Sequence, residues 1–183
     1  MDKIAQLFNS LTNNTNQKIM DVLKNIKSSD IPEFSLNGLK TSGKIVEIYD
    51  GDTCKIVLLN NNVLQKFNCR INGIDTPEMK PLLNKPNREI EIKNAYRCRN
   101  RLIQLCTSTN ISMNTDIDSD VKKVSLDTNT KIVYVECLEF DKYGRLLVNI
   151  YDQESPKISY NDILINEGFA KKYNGGTKDE FTY

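Results

Sequence analysis

The chain has 183 residues, 39% hydrophobic and 27% charged, with a formal net charge of +1, five cysteines and no histidine. This composition excludes fibrous and low-complexity proteins and describes a soluble globule of one domain plus an extension. There is no global basic field to draw in polyanions, and no imidazole to serve as a base or a metal ligand. A general base would therefore have to be a carboxylate, Lys, Tyr or Cys.

Residues 1–40 read as a helical N-terminal extension and linker, and residues 41–183 as the folded domain. Ile4, Leu7, Phe8 and Leu11 recur at helical spacing, as do Ile19, Val22, Leu23 and Ile26. The polar break Thr12–Asn16 separates them. The extension is expected to form a helical hairpin, with a protein partner as its functional alternative. Its polar face is too poor in basic residues for membrane binding. A signal peptide and an apolar run of transmembrane length are both missing, so an intracellular protein with reduced thiols is expected.

The barrel-like part begins near Gly43, where Lys44 to Tyr49 alternates apolar and polar residues as a half-buried strand does. Asp50-Gly51-Asp52-Thr53 then forms a turn. Cys54, Ile56 and Leu58 alternate along the next strand, Asn60–Asn62 supplies a second turn, and Val63 to Ile71 returns antiparallel. The return brings Gly73-Ile74-Asp75-Thr76-Pro77-Glu78 back beside Asp50 and Asp52, with Arg70 among them. Carboxylates that converge in this way call for a hard cation, an ion pair or a shared proton. A guanidinium beside them suits phosphate recognition.

The loop 79–87 follows, then a helix over Arg88 to Cys106 with Ile92, Ala95, Leu102 and Cys106 on one side. The helix carries Arg97, Arg99 and Arg101 on a face expected to be solvated. Residues 107–130 read as an acidic hairpin loop. Asp116, Asp118 and Asp120 imitate the start of an EF-hand, but Val121 stands where Gly is needed and Asp127 where Glu is expected. Lys131 to Phe140 and Arg145 to Tyr151 form a hairpin around Asp141-Lys142-Tyr143-Gly144. Ser159 caps a helix over Tyr160 to Glu167 that ends at Gly168. The five cysteines read as small buried hydrophobes.

Three motifs in this order, the DGDT turn, Arg70 placed five residues before the Asp of IDTPE, and Asp141-Lys142-Tyr143-Gly144-Arg145, resemble the staphylococcal nuclease (thermonuclease) family over roughly Gly43 to Gly176. The resemblance implies a mainly β fold with α, an OB-fold five-stranded β-barrel with packed helices. It also implies a Ca²⁺-dependent nuclease that hydrolyses DNA and RNA with little sequence specificity and prefers single strands. Carried onto this chain, it gives Asp52, Asp75 and the Thr76 carbonyl as metal ligands and Asp50 as a carboxylate behind them. Arg70, Glu78 and Arg145 become the catalytic residues, and Lys142, Tyr143 and Tyr173 the substrate contacts. The chain departs from the family in its low charge, the 107–130 segment and the absence of a long C-terminal helix.

Each residue also has a plainer reading. Arg70 pairs with Glu78, Arg145 pairs with Asp141, and Asp50 caps its own turn. The matching alternative for the whole chain is a non-catalytic OB-fold module that binds single-stranded nucleic acid or serves as a scaffold.

Overall fold

The computed structural model describes residues 15–107, 126–153, 157–176 and 181. The first expected helix and the Asp116–Asp120 motif lie outside the described residues. The chain divides into two units, Met1–Phe34 and Ser35–Tyr183. In the first unit a helix spans 15–25 (α1), followed by a 3-10 helix over Ser28–Asp30. Within α1, Asp21 ties the ends together. It accepts from Gln17 through its carboxylate and from the Asn25 side chain through its carbonyl.

The second unit is mainly β. Strands β1 (Lys40–Ile48), β2 (Thr53–Asn60), β3 (Val63–Ile71), β5 (Ile132–Phe140) and β6 (Leu146–Asp152) close into one barrel in the order β1-β2-β3-β6-β5, with β5 pairing back onto β1. This is a closed five-stranded barrel consistent with an OB-fold with packed helices. A two-stranded sheet joins β4 (Ile74–Asp75) to β7 (Lys171–Lys172). The described helices of this unit are α2 (Arg88–Cys106), α3 (Leu126–Asn129) and α4 (Tyr160–Asn166).

The β2–β3 hairpin forms because its strands alternate and its turn residues accept left-handed backbone. Asn61 and Asn62 have φ of 49° and 64°. Its register places Thr53 opposite Arg70 and Cys54 opposite Cys69. β6 then runs parallel to β3, with Cys69 beside Leu146 and Arg70 beside Leu147. Arg145, one residue before β6, thus arrives at the same end of the barrel as Arg70.

Ile45, Ile56, Leu58, Ile71, Val133, Val135, Val148 and Ile150 fill the interior. The five cysteines are free and buried. Burial pushes the Cys69 and Cys106 thiols up to about 12 and the Cys137 thiol to about 11, so they serve as neutral packing groups.

α2 covers the barrel with Ala95, Cys98, Leu102, Ile103 and Cys106, and Ile92 is only half-buried. The expected stripe therefore needs rotating by a fraction of a turn. Its arginines are not simply solvated. Arg101 forms a two-pronged ion pair with Glu167 at 2.6 and 2.7 Å, and the Arg97 guanidinium lies 6.0 Å from the Phe169 ring. α4 starts as expected. Ser159 Oγ accepts from the Asp162 N–H at 3.0 Å and donates to Asp162 Oδ2 at 2.6 Å. Among the described residues no helix is long and apolar enough to cross a membrane.

Candidate active site

The DGDT turn is built by its own side chains. Asp50 Oδ1 accepts the Asp52 N–H at 3.1 Å, so Asp50 does cap the turn. Gly51 is needed for space. A Cβ there would run into Cys98 Sγ on α2 and stand 3.0 Å from Thr76 Cγ2. The turn is thereby pressed between α2 and Thr76, the residue after β4. Asp52 is 3% exposed, and its Oδ1 accepts from Thr53 Oγ1 at 2.9 Å.

The hairpin register brings Arg70 to that carboxylate. Its Nη1 is 2.8 Å from Asp52 Oδ1, its Nη2 donates to the Ile74 carbonyl at 3.2 Å, and Nη2 is 3.9 Å from Asp75 Oδ1. Arg70 thus sits between two aspartates rather than paired with Glu78. Asp75 is 4% exposed and held in β4 by pairing with Lys171 of β7. The same pairing delivers the next segment, where the Tyr173 N–H donates to the Gly73 carbonyl at 2.9 Å and the Tyr173 hydroxyl to the Gly176 carbonyl at 2.9 Å.

The β5–β6 turn supplies the opposite wall. Asp141 Oδ1 accepts the backbone N–H groups of Tyr143 and Arg145, both at 2.9 Å. Its Oδ2 accepts from Arg145 Nε at 2.8 Å and lies 2.7 Å from Arg145 Nη2. Burial alone would push the Asp141 carboxyl up. The Arg145 and Tyr143 N–H groups and the Arg145 guanidinium outweigh it and hold the carboxyl below its ordinary value. Tyr143 stands out at 72% exposed, with Lys142 Nζ 5.1 Å and the Arg145 guanidinium 5.5 Å from its ring centre.

These walls enclose one open cleft of about 680 Å³. Asp50, Asp52, Arg70, Thr76, Glu78, Lys142, Tyr143, Arg145 and Tyr173 all line it. Of the ten residues singled out in the sequence, Asp75 alone does not line the cleft, and it is within ion-pair distance of Arg70. Four separate stretches of chain therefore meet in one place. Thr53, Asn72, Gly73, Asn174 and Gly175 also contribute to the walls. The β4–β7 pairing brings Asn174 and Gly175 there, and no local sequence pattern announces it.

The donor set fits a hard cation. It is all oxygen, with two buried aspartates and buried Thr76, whose carbonyl follows Asp75 in sequence. Among the described residues no group of three or more Asp, Glu, His or Cys side chains is gathered to hold an ion, so a backbone carbonyl and water would have to complete the shell. No protein-family model matches the chain, and no curated protein matches it.

Proposed function

We propose that the chain is a Ca²⁺-dependent phosphodiesterase of the staphylococcal nuclease type that cleaves DNA and RNA, with single strands as its best substrates. One observation carries this reading. Arg70 and Arg145 reach a single cleft from two different hairpins, and the aspartates and Glu78 line or adjoin the same space.

Phosphodiester hydrolysis builds negative charge on the phosphoryl oxygens, and guanidinium groups meet such oxygens with paired, permanently charged donors. In this reading Arg70 contributes from the floor of the cleft and Arg145 from its wall. Asp141 engages Arg145 Nε and Nη2, which fixes the plane of the guanidinium and leaves Nη1 as the edge to offer. Asp52, Asp75 and the Thr76 carbonyl would hold Ca²⁺, with Asp50 stiffening the turn behind them. When bound, the ion would supply charge neutralisation at the phosphate and polarise water. Glu78 is exposed and lines the cleft, and in this reading its carboxylate would accept a proton from water. Lys142, Tyr143 and Tyr173 line its rim and would contact the neighbouring nucleotide. With no global basic field, binding would depend on these few contacts and weaken with salt by a shallow slope.

The test is to incubate the purified chain with single-stranded DNA and RNA, with Ca²⁺ and with a chelator. The reading expects cleavage with Ca²⁺ and none with the chelator. Binding without cleavage would instead favour the non-catalytic module, and chelator-insensitive cleavage would remove the metal assignment.

A further inference from the structure

A carboxylate interrupts the apolar stripe of α2. Glu91 shares the buried side of the helix with Ala95, Cys98, Leu102 and Cys106, at spacings of four, three, four and four residues. It is 1% exposed. A buried carboxylate is costly unless charges and donors meet it. Two groups do so, one just before loop 79–87 and one within it. Glu91 Oε1 accepts the backbone N–H of Glu78 at 3.3 Å. Lys85 Nζ lies 2.6 Å from Glu91 Oε2 as an ion pair.

Other hydrogen bonds run within the loop and to the start of α2, including the Glu91 N–H to the Asn87 carbonyl at 3.0 Å. The Lys85 N–H donates to the Leu82 carbonyl at 3.0 Å, and Arg88 Nε to the Pro81 carbonyl at 3.3 Å. Its tip carries Leu82 and Leu83, which are 76% and 89% exposed. The Glu91 carboxylate thus meets both Glu78, just before the loop, and Lys85 within it.

We propose that Glu91 is a positioning residue for the cleft. By holding the Glu78 backbone and Lys85 together, it closes loop 79–87 and sets where the Glu78 carboxylate stands. This rests on the reading of Glu78 as the group that handles water. The chemistry asks for such a device, because Glu78 itself is exposed and a misplacement of about 1 Å in a reacting group can cost about a hundredfold in rate.

The experiment is a double-mutant cycle on single-stranded DNA cleavage in Ca²⁺, paired with amide hydrogen exchange across 78–87 in metal-free protein. Glu91→Ala is expected to lower kcat by about tenfold to a hundredfold with KM little changed, and to lower it no further in a Glu78→Gln background. Lys85→Met is expected to speed exchange across the loop and lower kcat less. Glu91→Gln, which keeps an acceptor for the Glu78 N–H, should recover part of the loss. Additive losses in the cycle, or unchanged loop exchange in Glu91→Gln and Lys85→Met, overturn the proposal. Should Glu91→Ala not fold, Lys85→Met with Glu78→Gln completes the same cycle. A wild type without any turnover would fail the nuclease reading, while loop exchange would still decide whether Glu91 is a clamp.

Discussion

Arg70 and Arg145 line the same cleft, yet their aspartate partners hold them by different means. Asp52, in the turn before β2, and Arg70, on β3, are brought together by the hairpin, with side chains 5% and 14% exposed. Asp141 and Arg145 are four residues apart in one turn, with side chains 15% and 27% exposed. The first pair is a tertiary contact in the protein interior, and its partners depend on each other for neutralisation. The second is a local brace near solvent, largely satisfied by backbone N–H groups. The first corner therefore belongs to the stability of the fold, whereas the second can give up its arginine at small structural cost. That division suits a site in which one guanidinium is part of the floor and the other is presented from the wall.

The sharpest way to break this contrast is to remove one aspartate at a time. Asp52→Ala leaves a largely buried guanidinium without its nearest carboxylate, and a loss of about 3–5 kcal/mol is expected in urea unfolding. Asp52→Asn should be milder for stability and should weaken Ca²⁺ affinity in a titration. Equal stability losses at Asp52 and Asp141 would erase the distinction.

Glycine substitutions sharpen it further. Gly51→Ala places a methyl against Cys98 Sγ and should cost about 1–3 kcal/mol through overpacking. Cys98→Ala in the same chain should return part of that loss. Gly144 has open space around it but a φ of 77°, so Gly144→Ala should cost about 1–2 kcal/mol through backbone strain alone, with nothing for a neighbouring substitution to relieve. Melting of the two single variants and the Cys98 double variant separates crowding from strain.

The smallest effect expected is that of acid on the Asp141 brace. Its folded carboxyl titrates below the unfolded one, so the stabilisation is fully present above roughly pH 3.9 and disappears as pH falls through the depressed folded value. Asp141→Asn should thus be less stable than wild type by about 1 kcal/mol or less at neutral pH. The gap should close as the pH is lowered. A gap that widened in acid would contradict the sign of the shift.

What could be read in advance followed the same division. The β2–β3 hairpin was legible because alternation and the Asn60–Asn62 turn are local signals, and they fix the Arg70–Asp52 meeting through register. Val63–Ile71 and Arg88–Cys106 match their expected bounds for that reason. The start of β1 at Lys40 was not legible. Lys40, Thr41 and Ser42 are polar and become a strand only by pairing with Glu136, Val135 and Tyr134. The two-residue strands β4 and β7 have no local pattern at all, and they are what place Asp75 and Tyr173. Glu91 carried a signal that the Ile92-based stripe obscured. It stands four residues before Ala95 and seven before Cys98, where a charge on a buried face asks for an explanation.

The central claim is that the guanidinium on the hairpin wall acts on the phosphate rather than on the fold. Steady-state cleavage of single-stranded DNA by Arg145→Ala, read beside its Ca²⁺ titration, tests it most directly. The account predicts that kcat and kcat/KM fall together by about 10²–10³-fold while Ca²⁺ affinity and folding stability hold near wild type. Undiminished cleavage by Arg145→Ala would contradict it.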